Sequence, residues 1–218
     1  MPEFEILKTV YLLRHGQSKD NIAPVFQSSN SPLNEKGKKQ AEYIAERISK
    51  ISFDSLISSP ILRAKQTAEV IAQKTGKNLE YSENFSEVIK PSSLKGKSYT
   101  DKKAVFLWRK WQKSLFNQGK KAEDGENYNE FILRVDKALQ FLTNREEKSL
   151  VVVSHGFFIK TIIARVLLGN FLSEEILQRF CKTLGTENTG LTVLRYYEGF
   201  EEQPCWHLWI YNDNAHLG

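Results

Sequence analysis

Hydrophobic and polar positions follow two rhythms along this chain. Apolar, β-branched runs at residues 9–13, 53–58, 150–154, 191–196 and 206–211 predict strands, with a weaker candidate at 78–82. The first and third of these look buried on both faces. Apolar residues spaced three to four apart predict helices between them. One spans 35–50, with Ala41, Ile44, Ala45 and Ile48 on one face. Another spans 61–75, carries Ala64, Ala68, Val70, Ile71 and Ala72, and has Pro60 suited to its first turn. Further helices are predicted at 100–117, 128–144, 157–168 and 173–183. Strands and helices largely alternate, which makes the class α/β.

Residues 90–124 break the alternation. The loop KPSSLKGKS leads into an aromatic, basic helix with Phe106, Trp108, Trp111 and Phe116. About 35 residues cannot easily bury a core alone, so the segment reads as a cap inserted in a single domain over 1–218 and lying against the main sheet. Between residues 90 and 121, ten lysines and arginines face one acid, Asp101, a local charge of +9 within a chain of net charge +5. Such a segment suits an anionic ligand, nucleic acid or a solvated helix face. No nucleic-acid-binding motif accompanies the charge, so a nucleic-acid partner is disfavoured.

With 218 residues, 40% of them hydrophobic and 26% charged, the composition is that of a soluble globular protein and excludes disordered, collagen-like and coiled-coil chains. No apolar run reaches the roughly 18 residues of a membrane span. The start, MPEFEILKTVYLL, carries glutamates where a secretory leader would be positive, and the expected setting is cytoplasmic. Cys181 and Cys205 have the spacing of neither a redox pair nor a zinc clamp and read as ordinary thiols. His15, His155, His207 and His216 lack metal-ligand spacing, so no metal is implied.

Two strand ends carry candidate chemistry. Val10 to Leu13 ends in Arg14-His15-Gly16, and Val151 to Val153 ends in Ser154-His155-Gly156. Carboxyl ends of strands in α/β sheets open into the binding crevice. If the two strands are neighbours, both histidines and Arg14 converge on one polar pocket. A third element, Ser58-Ser59-Pro60 followed by Arg63, places an arginine in the first turn of a helix, where it opposes the helix dipole and asks for a nearby anion. Two guanidinium forks and two imidazoles describe a site for a tetrahedral dianion. Histidine is also a competent nucleophile at phosphorus, and a carboxyl group is then needed to protonate the leaving oxygen.

Four ordered motifs carry a resemblance: L-L-R-H-G-Q-S-x-x-N (12–21), S-P-L-N-E-K-G-x-x-Q-A (31–41), S-S-P-x-x-R-A-x-Q-T-A (58–68) and V-V-V-S-H-G (151–156). In this order they resemble the histidine phosphatase superfamily, the phosphoglycerate mutase-like group, with a looser tail through 188–194. The resemblance implies a three-layer α/β/α fold with a mostly parallel sheet and a helical, basic cap. It also implies phosphotransfer through a phosphohistidine, with neither cofactor nor metal. His15 then matches the nucleophile, Arg14, Arg63 and His155 the phosphate pocket, and Asn21 a pocket-lining residue. Glu87 best matches the proton donor, with Glu83 as its competitor.

The sequence departs from that pattern after Glu87, where 89–97 replace a short glycine, aromatic and acidic stretch, and at Gly125-Glu126-Asn127. The expected activity is hydrolysis of a small phosphomonoester. A mutase-type phosphotransferase and a catalytically silent phospho-ligand module are the alternatives, and a homodimer is left open. Trp108 and Trp111 either stack on a flat substrate or pack the cap down, and Arg109 and Lys110 are expected to tune substrate preference.

Overall fold

The computed structural model describes residues 5–117, 119–198 and 205–218. The acidic start falls partly on residues 1–4, outside the described residues. Strands β1 (Ile6–Arg14), β2 (Ser55–Ser58), β3 (Leu79–Tyr81), β4 (Ser149–Ser154), β5 (Leu191–Tyr197) and β6 (Cys205–Asp213) form one sheet in the order β3-β2-β4-β1-β5-β6. The first four in that order run parallel, and β5 and β6 add an antiparallel edge. The sheet is therefore mostly parallel, as expected.

Helices are α1 (Lys19–Ile22), α2 (Glu35–Ile48), α3 (Leu62–Thr75), α4 (Lys102–Phe116), α5 (Tyr128–Thr143), α6 (Gly156–Leu168) and α7 (Glu174–Thr183). Their starts follow local chemistry. Asn34 caps α2 by accepting from Gly37 N at 2.8 Å, Asp101 caps α4, and Asn127 and Glu130 form a reciprocal capping box at α5. The short α1 has no apolar periodicity and was not anticipated from the sequence. Pro60 lies outside the first turn of α3. Ile61 is its extended N-cap, and Leu62 N bonds instead to Ser29 O at 3.3 Å, so the helix begins two residues after the proline.

Side-chain alternation splits the core across the sheet. Val10, Leu12, Leu150 and Val152 pack with Phe131, Val135, Phe158 and Ile162 from α5 and α6, whereas Leu13, Val151 and Val153 pack with Ile44, Ile48, Ala64 and Ile71 from α2 and α3. Three layers result. β4 is buried on both faces beyond its first residue, but Thr9 and Tyr11 of β1 are only half-buried, so the expectation of two fully buried strands holds for one of them.

The cap joins the larger core: Trp111, Leu115, Phe116 and Ala122 share a buried cluster with Val10, Leu12 and Val152. Its loop is tied to the segment before α2, where Phe26 N bonds Lys97 O at 2.9 Å and Gly96 N bonds Phe26 O at 2.8 Å. Among the described residues no helix is long and apolar enough to cross a membrane.

Candidate functional site

β1 and β4 are neighbours in register, with Arg14 opposite Ser154, and β2 flanks β4 with Ser58 opposite Val153. The three strand ends therefore bring Arg14-His15, His155 and Ser59 together at one rim of the sheet. The imidazoles of His15 and His155 lie with centroids 5.1 Å apart. Arg63 enters from the first turn of α3, and its Nε donates to His15 Nε2 at 2.9 Å. His15, Arg63 and His155 are all nearly inaccessible, at 2%, 3% and 0% exposure.

Hydrogen bonds assign the His15 tautomer. Nδ1 lies 2.7 Å from Gly16 O, an atom that can only accept, so Nδ1 carries the proton and Nε2 keeps its lone pair toward Arg63. Burial, then Arg63 and Arg14, hold the His15 pKa well below its ordinary value, so the ring is neutral. His155 is displaced in the same direction by burial and then by Arg63. Burial also lowers both arginines, partly opposed by the charge of Glu87, but guanidinium remains protonated at any working pH.

The His15 loop is braced on every side. Gly16 N donates to Thr67 Oγ1 at 3.0 Å, Gln17 N to Gln40 Oε1 at 2.9 Å, and Asn188 Nδ2 to His15 O at 2.8 Å. A Cβ on Gly16 would meet Gly37 O at 2.5 Å, so the loop crosses the start of α2 at a distance only glycine allows. Two buried polar atoms here lack partners: Arg14 Nε and His155 Nδ1. Each such orphan costs about 1–3 kcal/mol, and a phosphate oxygen is the kind of acceptor that relieves an N–H left in this state.

Glu87 is anchored at the amino end of α6, where its carboxylate accepts from Phe157 N at 3.2 Å and Phe158 N at 3.0 Å. With Arg63 it lines a cleft of about 560 Å³, whose other walls include Ser28, Asn30, Ser86 and Lys90. Glu83 also lines this cleft but is exposed and holds Ser86 Oγ at 2.8 Å. Asn21 Oδ1 accepts from Ser18 N and Ser18 Oγ at 2.8 and 3.0 Å, and, like Arg14, His15 and His155, Asn21 lies behind the cleft walls rather than among them.

The cap resolves its two readings. Trp111 is 2% exposed and donates to Glu126 O at 3.0 Å, while Trp108 packs toward Phe26, so both tryptophans hold the cap down. Arg109 and Lys110 are exposed and are not among the cleft walls. The inward face of α4 is taken by Ala104, Trp111, Leu115 and Phe116, and the cations therefore project outward.

Sequence reasoning missed a clamp behind Glu87. Arg134 on α5 grips Glu126 through Nε–Oε1 at 2.7 Å and Nη2–Oε2 at 2.8 Å, and also donates to the carbonyls of Ser86 and Glu87 at 2.7 and 3.2 Å. Glu126 Oε2 accepts from Ile89 N at 2.8 Å. The backbone is thus pinned on both sides of Glu87. Ser59, bonded to His155 Nε2 at 2.8 Å, also went unassigned. Ser59, Gln40 and Thr67 stood inside the quoted motifs, which was their only signal. The Arg134 contact had none.

A solved phosphoserine phosphatase from Entamoeba histolytica, in complex with phosphoserine, superposes with a TM-score of 0.73 at 25% identity, covering 96% of this chain and 99% of that one. The alpha-ribazole phosphatase from Shigella flexneri does so with a TM-score of 0.76 at 19% identity, covering 95% and 97%. In sequence, the "Probable phosphoglycerate mutase GpmB" of Enterobacter sp. (strain 638) is 31% identical over 216 residues, covering 95% of this chain and 94% of its own. The family profile described as histidine phosphatase superfamily (branch 1) matches residues 10–207, and with it the four motifs and the paired strand ends have one explanation: the chain belongs to the histidine phosphatase superfamily.

Proposed function

We propose that this protein hydrolyses small phosphomonoesters through a phosphohistidine formed on His15. The observation that carries the reading is the state of that ring: neutral, protonated on Nδ1 by its bond to Gly16 O, and offering Nε2 beside Arg63. In the first step Nε2 attacks phosphorus, the bond from phosphorus to the ester oxygen breaks, and Glu87 gives its proton to the departing oxygen. In the second, water attacks phosphorus, Glu87 takes the water proton, and the bond to Nε2 breaks to release inorganic phosphate. Arg14, Arg63 and His155 stabilise the charge on the transferring phosphoryl oxygens. Asn21, held by its bonds to Ser18, lines the phosphate pocket with them.

The likeness to a phosphoserine phosphatase and an alpha-ribazole phosphatase supports hydrolysis, and the likeness to a GpmB-type protein supports a second reading, phosphoryl transfer back to a bound acceptor. We read the chain as one domain with 90–124 as its cap, supported by the shared core of Trp111 and Val10. The cytoplasmic setting is supported by two free cysteines. Phosphate release from p-nitrophenyl phosphate, measured in chelator, tests the proposal. Turnover that needs His15 and no metal is the expected result. Turnover that persists in His15→Ala overturns it, and isomerisation of a phosphorylated hydroxy acid without phosphate release favours the second reading.

A further inference from the structure

The segment between α7 and β5 carries a strained residue next to the site. Thr189 is fully buried and has φ +60°, a left-handed conformation that a β-branched side chain rarely adopts. Strain of this kind persists only where the surroundings hold it. Thr189 N donates to Arg14 O at 3.0 Å and Asn188 Nδ2 donates to His15 O at 2.8 Å, while Gly190 O accepts from Arg14 N at 3.3 Å and Thr186 O accepts from Arg14 Nη1. Residues 186–190 therefore grip the backbone of both Arg14 and His15. Asn188 holds the oxygen of the His15–Gly16 peptide, whose N–H is held by Thr67 Oγ1 at 3.0 Å, and so sets the approach of Gly16, whose own carbonyl accepts from His15 Nδ1.

The end of β6 and the turn beyond it fasten this segment. Asn212 Oδ1 accepts from Glu187 N at 2.8 Å, Tyr211 OH bonds Gly185 O and Thr186 Oγ1, and His216, on the single turn Ala215–Leu217, places Nε2 3.0 Å from Thr189 Oγ1. The direction of that last bond is determined. Thr189 Oγ1 lies 2.7 Å from the backbone oxygen of Asn188, which can only accept, so the hydroxyl proton points there and His216 Nε2 is the donor. Neutral His216 then turns its Nδ1 lone pair to Arg47 Nη1 at 3.4 Å, and Arg47 is fixed by Asp213 at 2.5 Å. Burial and then Arg47, against the charge of Asp213, lower the His216 pKa and keep the ring in this form. An unbroken chain runs from Arg47 through His216, Thr189 and Asn188 to His15, and its two histidines hold opposite tautomers.

We propose that His216 is a positioning residue for the nucleophile: by donating to Thr189 it locks residues 186–190 against Arg14 and His15, so that a turn remote in sequence governs the alignment of the His15 ring. This rests on the reading of His15 as nucleophile. His216→Phe keeps a ring and removes the donor, Thr189→Val removes the acceptor, and His216→Gln restores an N–H in place of Nε2. The rate of phosphoenzyme formation from p-nitrophenyl phosphate reads the alignment. His216→Phe and Thr189→Val are each expected to slow it about tenfold while changing the affinity for inorganic phosphate by less than about twofold. The double variant is expected to be no slower than either single one, and His216→Gln to keep most of the native rate. Where His216→Phe does not fold, Thr189→Val carries the same comparison.

Nitrogen NMR of histidine-labelled protein reads the same lock without turnover. In the native protein His15 is expected as the Nδ1–H form and His216 as the Nε2–H form. His15 is expected to become a mixture of tautomers in His216→Phe and in Thr189→Val, and to stay a single form in His216→Gln. Losses that multiply in the double variant, or a His15 tautomer indifferent to both single variants, overturn the proposal. His15-dependent turnover at a rate indifferent to His216 and Thr189 leaves hydrolysis standing and removes the lock. Absent turnover with a His15 tautomer that depends on His216 does the reverse.

Discussion

β1 and β4 run side by side, and each delivers a histidine and a glycine at its carboxyl end, yet the two imidazoles are held in opposite ways. His15 has both nitrogens engaged, Nδ1 with Gly16 O and Nε2 with Arg63. His155 bonds through Nε2 to Ser59 Oγ and leaves Nδ1 buried without a partner. The glycines differ too. Gly16 permits a backbone crossing with Gly37, whereas a Cβ on Gly156 would sit 3.2 Å from Arg14 Nε. One strand end is built to present a lone pair in a fixed tautomer; the other leaves a nitrogen free for a ligand beside an arginine that is also incompletely bonded. On the proposed reading, the same local sequence device yields a nucleophile at one end and a binding group at the other.

The sharpest way to break this comparison is to remove each ring. His15→Ala is expected to lower kcat on p-nitrophenyl phosphate by about four orders of magnitude, because the covalent route disappears. His155→Ala is expected to lower it by about two to three orders, the scale of losing one charge-stabilising donor. Equal losses would contradict the division of roles, and quenched-flow trapping of acid-labile phosphoprotein, present in His155→Ala and absent in His15→Ala, checks it directly.

Glu87 gives a subtler contrast. Glu87→Gln should slow an alkyl phosphate far more than p-nitrophenyl phosphate, whose leaving group scarcely needs a proton. Arg134→Gln, which loosens the segment around Glu87, should show the same bias. It should also destabilise the fold by about 3 kcal/mol in denaturant titration, because Glu126 is left buried without its partner. Equal slowing of both substrates would make the clamp purely structural.

Titration separates the histidines from the rest of the molecule more gently. Both have folded pKa values below the ordinary 6.5, so the unfolded chain binds more protons once the pH falls below that value. Melting temperature is expected to decline as pH falls from about 6.5 toward the folded values. The decline should be shallower in His155→Asn, and saturating phosphate should reduce it, because an anion favours the protonated ring. The smallest effect expected is at Asn127→Ala, which removes a helix cap bonded to Glu130 and should cost about 1 kcal/mol without changing kcat. An equal slope in native and His155→Asn proteins would remove His155 from the account.

The legible and illegible parts of this site divide by range. Arg14, His15, His155 and Arg63 stand at the ends of apolar strands or in the first turn of a periodic helix, signals that occupy ten residues or fewer. Pairing β1 with β4 needed only that two apolar parallel strands be neighbours. The outward orientation of Arg109 and Lys110 was not legible, because it depends on which face of α4 the core takes, and Trp111 and Leu115 decide that. Asn21 stood in a quoted motif, but its carboxamide turns back onto Ser18.

The sequence by itself determined the class of fold, the two histidine-bearing strand ends and the residue types that suit a phosphate, because apolar periodicity and strand termini are encoded locally. Only the tertiary structure decided the tautomer of His15, the anchoring of Glu87 on α6, the clamp by Arg134 and the unpartnered state of His155 Nδ1. Apart from the bond of His15 to the neighbouring Gly16 O, these depend on groups tens of residues apart, as Arg134 and Ser86 are, and such contacts exist only once packing has excluded water and left every buried polar atom to find, or to lack, a partner.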